Sequence, residues 1–189
     1  MVSTPEQRRR GLQVLKNPAA YSDTEVHNAV LDVRRRPEPG DEKLLLPLLE
    51  HADAMVVAAV LYSLTHVYGT VEQYRDLIMK LAQGDPRDCM EMPIQSSAIS
   101  DLAELAQHDR EALDLLRRIA EDSGTAEVPR QRAWFCLAGL FNVPWSKEDS
   151  EAMIWDPDSQ RSEQAKARVR EAAEGLNWKP VQPPRKYFV

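Results

Sequence analysis

The stretch that decides the fold is Leu44-Leu45-Leu46-Pro47-Leu48-Leu49, followed by Asp53-Ala54-Met55-Val56-Val57-Ala58-Ala59-Val60-Leu61-Tyr62-Ser63-Leu64. Leu44, Leu45, Leu48 and Leu49 keep the spacing of one helical face, and Val56, Val60, Leu64 and Val67 repeat it in the next segment. The same pattern returns at Leu77, Ile78, Leu81 and Ala82, at Ile94, Ala98, Leu102 and Leu105, and at Leu113, Leu116, Ile119 and Ala120. These windows are rich in alanine, leucine, glutamate and arginine, which favour helix locally. No stretch shows the strict alternation of a half-buried strand.

The breaks between windows are short. Pro37-Glu38-Pro39-Gly40 must end a helix, because proline lacks a donor and its predecessor avoids the α region. Gly69-Thr70 offers a glycine stop and a threonine cap, and Gly84-Asp85-Pro86, Ser123-Gly124 and Asn142-Val143-Pro144 act similarly. Ser146 with Asp149 reads as a variant capping box, and Asp156-Pro157-Asp158 precedes a polar helix over 159–174 closed by Gly175. Short helices joined by short links predict stacked antiparallel helix pairs.

Such alternation invites a search for repeats. Asp53-x-x-Val56 with Val60, Leu61 and Leu64, preceded by Leu45-Leu46-Pro47-Leu48-Leu49, closely resembles a HEAT repeat. In that family the first helix often carries a proline after paired leucines, and the second opens with Asp-x-x-Val-Arg. Here Val57 stands in the arginine position, and Val60 and Leu61 replace the usual alanines. Asp23-Thr24-Glu25-Val26 with Ala29 and Val30 resembles the same second-helix opening, Ile94 with Ala98 and Leu102 fits it too, and Pro129-Arg130 with Ala133 and Leu137 fits it in degraded form. The anchors Val26, Val56, Ile94 and Pro129 lie 30, 38 and 35 residues apart, compatible with helical repeats of roughly 34–47 residues. The resemblance covers residues 20–143 and is most specific at 44–64. It implies an all-α fold, a short right-handed α-solenoid of stacked antiparallel helix pairs. Residues 1–145 would form the HEAT-like repeat domain, and 146–189 would supply capping helices and a Pro-rich tail on the same domain. A plain helical bundle with the same leucine spacing is the alternative architecture.

The 189 residues carry a net charge of −6, and hydrophobic residues make up 43% of them. The charge is uneven: residues 1–40 hold 7 basic and 5 acidic groups, 41–129 hold 7 and 17, and 130–189 hold 10 and 8. An acidic centre repels nucleic-acid phosphates and attracts basic partners, unless its carboxylates are simply solvated helix faces. No apolar run is long enough to span a bilayer, and Met1-Val2-Ser3-Thr4-Pro5 lacks the apolar core of a secretory signal. With Cys89 and Cys136 as the only cysteines, a reducing cytoplasmic setting is expected, with both thiols as small buried hydrophobes.

Chemistry-bearing motifs are few. His27, His51, His66 and His108 form no metal-ligand spacing, and neither a Gly-rich phosphate loop nor a nucleophile elbow is present, so no cofactor and no catalytic site are expected. In a HEAT-like stack the second helices line the concave face. Aligning the repeats by their anchors places Ala59, Ser63 and His66 beside Ser97, Asp101 and Glu104, with Arg132, Cys136 and Gly139 next. Ser63, His66, Ser97, Asp101, Glu104 and Arg132 are therefore the candidate protein-binding residues, on a polar groove suited to a basic peptide or domain. Trp134, Phe135 and Phe141 read as core. Trp145, Trp155 and Trp178 are expected to fasten the C-terminal segment over the end of the stack, while the tail from Lys179 to Val189 is extended by its prolines.

The resulting expectation is a non-catalytic protein-binding module, in its most concrete form a bacterial immunity protein that neutralises a basic toxin domain. An enzyme is the second possibility, because HEAT-like folds include DNA glycosylases and lyases acting on a prosthetic group; those glycosylases are basic along the concave face, unlike this acidic centre. A scaffold or assembly factor is the third. Arg8-Arg9-Arg10 and Arg34-Arg35-Arg36 are too short to reverse that argument, and the second cluster suits the negative end of a helix.

Overall fold

The structure, a computed structural model, describes residues 3–175. These are all-helical, with no strand among them. The helices are α1 (Pro5–Lys16), α2 (Asp23–Arg34), α3 (Glu42–Leu45), α4 (Ala54–Ser63), α5 (Arg75–Leu81), α6 (Pro93–Leu105), α7 (Arg110–Glu121), α8 (Glu127–Leu140), α9 (Lys147–Trp155) and α10 (Gln160–Gly175). None of them is long and apolar enough to cross a membrane. Trp178 and the Pro-rich tail lie outside the described residues.

Helix starts follow the sequence signals. Thr4 and Ser22 form reciprocal capping boxes with Gln7 and Glu25 at the heads of α1 and α2. Asp53 accepts the Val56 N–H at 2.9 Å, and Ser146 and Asp149 exchange bonds of 3.0 and 3.1 Å at the head of α9. All four repeat anchors are buried in the first turn of their helices: Val26 in α2, Val56 in α4, Ile94 in α6 and Pro129 in α8. The leucine-rich stretch before α4 departs from a regular helix. Pro47 cannot donate to the Lys43 carbonyl, so α3 ends at Leu45 and a 3-10 turn, Leu46–Glu50, takes over. Leu45 and Leu48 still face the core.

Contacts divide the chain into two units, Met1–Ala98 and Ile99–Val189, with the boundary inside α6. In the first unit α1 and α2 run antiparallel, since Arg8 near the start of α1 meets Arg36 just past the end of α2. Their apolar faces join α4 in one core that includes Val14, Leu15, Val26, Val30, Val33 and Val60. Within it the Arg8 guanidinium donates to both Asp41 oxygens at 2.9 and 2.8 Å and to the Arg36 carbonyl at 2.8 Å. Arg8 and Asp41 are both buried, and the Tyr68 hydroxyl reaches Asp41 Oδ2 at 3.4 Å.

In the second unit α10 is strapped by two arginines. Arg170 grips Glu121 of α7 at 2.8 and 2.9 Å and lies 5.0 Å over the buried Trp134 ring. Arg117 donates to the Ala173 carbonyl at 3.1 Å and lies 5.6 Å over Phe141. Asp149 ties α9 to α10, accepting from Arg168 at 2.7 Å and Arg161 at 3.1 Å as well as from Ser146. Arg168 first, then the Ser146 amide and Arg161, hold its carboxyl well below the usual carboxylate range.

Three sequence expectations change here. Trp155 is 82% exposed and fastens nothing, whereas Trp145 packs edge-on against Phe135 at 5.0 Å. Phe135 and Phe141 are half-buried, so Trp134 alone of the three is core. Cys89 is exposed rather than buried, because it sits in the loop after α5 rather than on a helix face.

Much of the acidic centre serves local backbone. Asp41, Glu42, Asp53, Asp85, Asp88, Asp109 and Asp122 each accept at least one backbone N–H from a nearby residue. Asp88 caps α6 by taking the Ile94 and Gln95 amides at 2.8 and 2.9 Å. Seven of the 17 carboxylates in 41–129 therefore have a structural duty that their number alone does not reveal.

Removing Asp41 would leave the buried Arg8 with only the exposed Glu38 carboxylate at 3.0 Å and the Arg36 carbonyl, so Asp41→Ala should cost about 3 kcal/mol in urea unfolding, and the double change Arg8→Met with Asp41→Leu should cost less than Asp41→Ala alone. Asp149 has a folded pKa below its unfolded one, so its contribution is present above about pH 4 and declines as pH falls below that value. Asp149→Asn should lose about 2 kcal/mol at pH 7, and the gap to the parent in urea midpoints should narrow by pH 3.

Candidate functional site

The site is built on α2 and α4 of the first unit. The α4 sequence is almost wholly apolar, and Ala54, Val56, Val57, Ala59, Val60 and Leu61 all turn inward. Only a narrow stripe faces out: Met55 is 46% and Tyr62 45% exposed, and His66 follows one turn later. The Tyr62 and His66 rings stack with centroids 4.5 Å apart and planes 8° from parallel. From α2, the Arg34 guanidinium covers the other end of the stack, 4.8 Å from the Tyr62 centroid. Partial burial pulls the Arg34 guanidinium below its ordinary value, and Tyr62 opposes that pull.

The backbone beneath His66 is unusual. After Ser63 the helix widens into a π turn over Leu64–Tyr68. Ser63 donates to the Ala59 carbonyl at 2.6 Å and Thr65 to the Leu61 carbonyl at 3.0 Å, a back-bonding pattern that loosens a helix. Thr65 Oγ1 also lies 2.8 Å from His66 Nδ1. Gly69 then closes the turn. A Cβ there would fall 2.4 Å from Gln73 Oε1, 2.9 Å from the Leu64 carbonyl oxygen and 3.0 Å from the Tyr74 ring.

Two further histidines border α2 and α4. His27 is half-buried, and burial lowers its pKa despite the charge of Asp53, so it is neutral at pH 7. His51 accepts the Asp53 N–H at 3.1 Å through Nδ1 and places Nε2 3.7 Å from Asp23. Among the described residues, no three of histidine, cysteine, aspartate and glutamate are grouped to hold a metal ion.

The residues predicted from sequence distribute over both units. Ser63, His66 and Ser97 belong to the first, and Asp101, Glu104 and Arg132 to the second. Ser63 and Asp101 are buried, so their side chains lie beneath the surface rather than on a recognition face. Ser97 and Glu104 are half-buried on α6, and His66 and Arg132 are exposed. Within the second unit Arg132 reaches across from α8 to Ser100 of α6, with bonds of 3.0 and 2.8 Å.

The exposed stripe is Met55, Tyr62 and His66 instead of Ala59, Ser63 and His66. Sequence reasoning missed Tyr62, Met55 and Arg34. The available signal was that Met55 and Tyr62, seven residues apart, are the two bulkiest interruptions of a run of small aliphatics.

Comparison of the chain with family models, with curated proteins and with solved structures returns no match. The chemistry of this face is therefore read from its own residues: a cation, a phenol and an imidazole held in a stack, with a flexible thioether about two helical turns before the phenol.

Because the Gly69 contacts are largely backbone and ring, Gly69→Ala should destabilise the protein by about 1–3 kcal/mol. It should also disturb the stack, which the Tyr62 and His66 signals in an NMR spectrum would report as shifts larger than those of residues in the first half of α4.

Proposed function

We propose that the chain is a non-catalytic protein-binding module, and that the Arg34–Tyr62–His66 stack is the centre of its contact face. The observation that carries this reading is an exposed tyrosine whose ring is held between a guanidinium and an imidazole. Tyrosine and arginine are enriched at the energetic centres of protein interfaces. A ring already fixed in place loses little conformational freedom on binding, which favours affinity.

A HEAT-like scaffold of helix pairs is proposed alongside it. It is supported by the four anchors buried in the first turns of α2, α4, α6 and α8, and by the antiparallel α1–α2 pair with α4 packed on α2. The preferred partner is a basic protein, and an immunity protein holding a basic toxin domain is the most concrete form of the proposal. Support for the sign of the partner comes from carboxylates of the acidic centre at exposed positions, among them Glu50, Asp76 and Glu91.

The test is affinity capture from the native host with the full chain as bait, comparing the parent with Tyr62→Ala over a salt gradient. A basic protein should be retained by the parent, elute earlier as salt rises, and bind about 30-fold more weakly to the variant, which keeps its melting temperature. Equal retention by both baits, or retention by neither, would remove the reading.

A further inference from the structure

We infer that the end of α9 is a second docking surface, on which the Trp155 indole stands ready to enter an apolar pocket of a basic protein. Trp155 is 82% exposed and Ile154 44%, and Val128 at the head of α8 is 42% exposed. The neighbouring Met153 is fully buried, so α9 already has its core anchor and the indole is left for the outside. An exposed indole suits an interface, because it combines a large apolar area with one polar handle.

The corner is held firmly. Asp156 ends α9 with its N–H on the Ala152 carbonyl at 2.8 Å. Three carbonyls around the indole are each taken by a side chain: Ile154 by Gln131 at 3.4 Å, Asp156 by Ser162 at 2.8 Å and Pro157 by Lys166 at 2.7 Å. Backbone fixed on both sides of Trp155 restricts where the ring can go, which is the preorganisation expected of an interface anchor.

The rim supplies the sign of the partner. Gln131 also donates to Glu127 Oε1 at 2.6 Å, so one amide places that carboxylate beside the Ile154 carbonyl. Glu151, Asp156 and Asp158 are exposed on the chain segments that flank the indole. Lys147 faces Glu151 at 3.6 Å and offsets part of that carboxylate's charge, and the buried Lys166 bonds Glu163 at 2.7 Å, so Glu127, Asp156 and Asp158 supply the rim's net negative charge. An apolar centre with an acidic rim fits a protein surface that has an apolar pocket ringed by lysine or arginine, whose cations can also lie against the indole face. A second copy of the same corner would oppose like charges across a two-fold axis, and an anionic bilayer would meet the same repulsion.

The full chain tests this with two dye-labelled amphipathic helical peptides, one of leucine and lysine and the other of leucine and glutamate, titrated by fluorescence anisotropy. The leucine–lysine peptide should bind, weaken as salt rises, and lose at least about tenfold on Trp155→Ala and severalfold on the triple change Glu127→Gln, Asp156→Asn, Asp158→Asn. Both variants should keep the parent melting temperature, and Met90→Ala, which removes another exposed apolar side chain far along the sequence in the first unit, should bind the peptide as the parent does. The inference is overturned if neither peptide binds, if the glutamate peptide binds equally well, or if Trp155→Ala leaves the affinity unchanged. A dimer or binding to phosphatidylglycerol vesicles that disappears on Trp155→Ala would also overturn it, in favour of a second copy or a lipid surface.

Discussion

The Arg8 guanidinium and the Asp41 carboxylate meet inside the first unit, and the geometry of that unit follows from their having to meet. Two buried ions exact a large desolvation cost that only close, multiple hydrogen bonding offsets. Arg8 therefore engages both Asp41 oxygens and the Arg36 carbonyl at once, which closes α1 onto the turn after α2. Asp41 also accepts the Glu38 amide at 2.9 Å, so the Pro37–Gly40 break is folded around the same carboxylate. Burial and the charge of Asp41 push the Tyr68 phenol far above its ordinary value, which keeps it a donor at every accessible pH. Tyr68 is the last residue of the π turn that carries His66. One ion pair thus connects the first helix with the exposed stack by a continuous run of hydrogen bonds and backbone.

The acidic centre divides into two populations with different physics. One caps helices and turns, where a carboxylate next to free N–H groups is stabilised by the helix dipole and by direct hydrogen bonds. The other stays in solvent and sets the long-range field. Composition counts both alike. Only the second population can steer a partner, and most of the patch with the clearest apolar centre and acidic rim, Glu127 and Val128 apart, lies beyond residue 129, in a stretch whose overall balance is slightly basic.

The helical phase was legible because it rests on one-dimensional periodicity. Val26, Val56, Ile94 and Pro129 were readable as apolar anchors at the openings of their helices, and Thr70 and Ser146 as caps, since each signal involves residues within one turn of one another. The candidate site was legible only in part. Ser63 and Tyr62 differ by a single step around α4, and which of the two faces out follows from how α4 packs on α2 and on the 46–50 turn, contacts between residues far apart in sequence. The Arg8–Asp41 pairing joins residues 33 apart and leaves no local trace. Trp155 shows the limit from the other side. Hydrophobicity predicts burial on average, but nine-residue α9 has its inward place filled by Met153.

The two thiols differ in a way that matters for handling the molecule. Cys136 is half-buried on α8, and burial pushes its thiol upward, so little thiolate forms near neutral pH. Cys89 is open to solvent in the loop that follows α5. Alkylating reagents consequently meet one accessible sulfur well before the other. A spectroscopic label can be installed at a single point of the first unit, away from the stack on α4, without altering the chain.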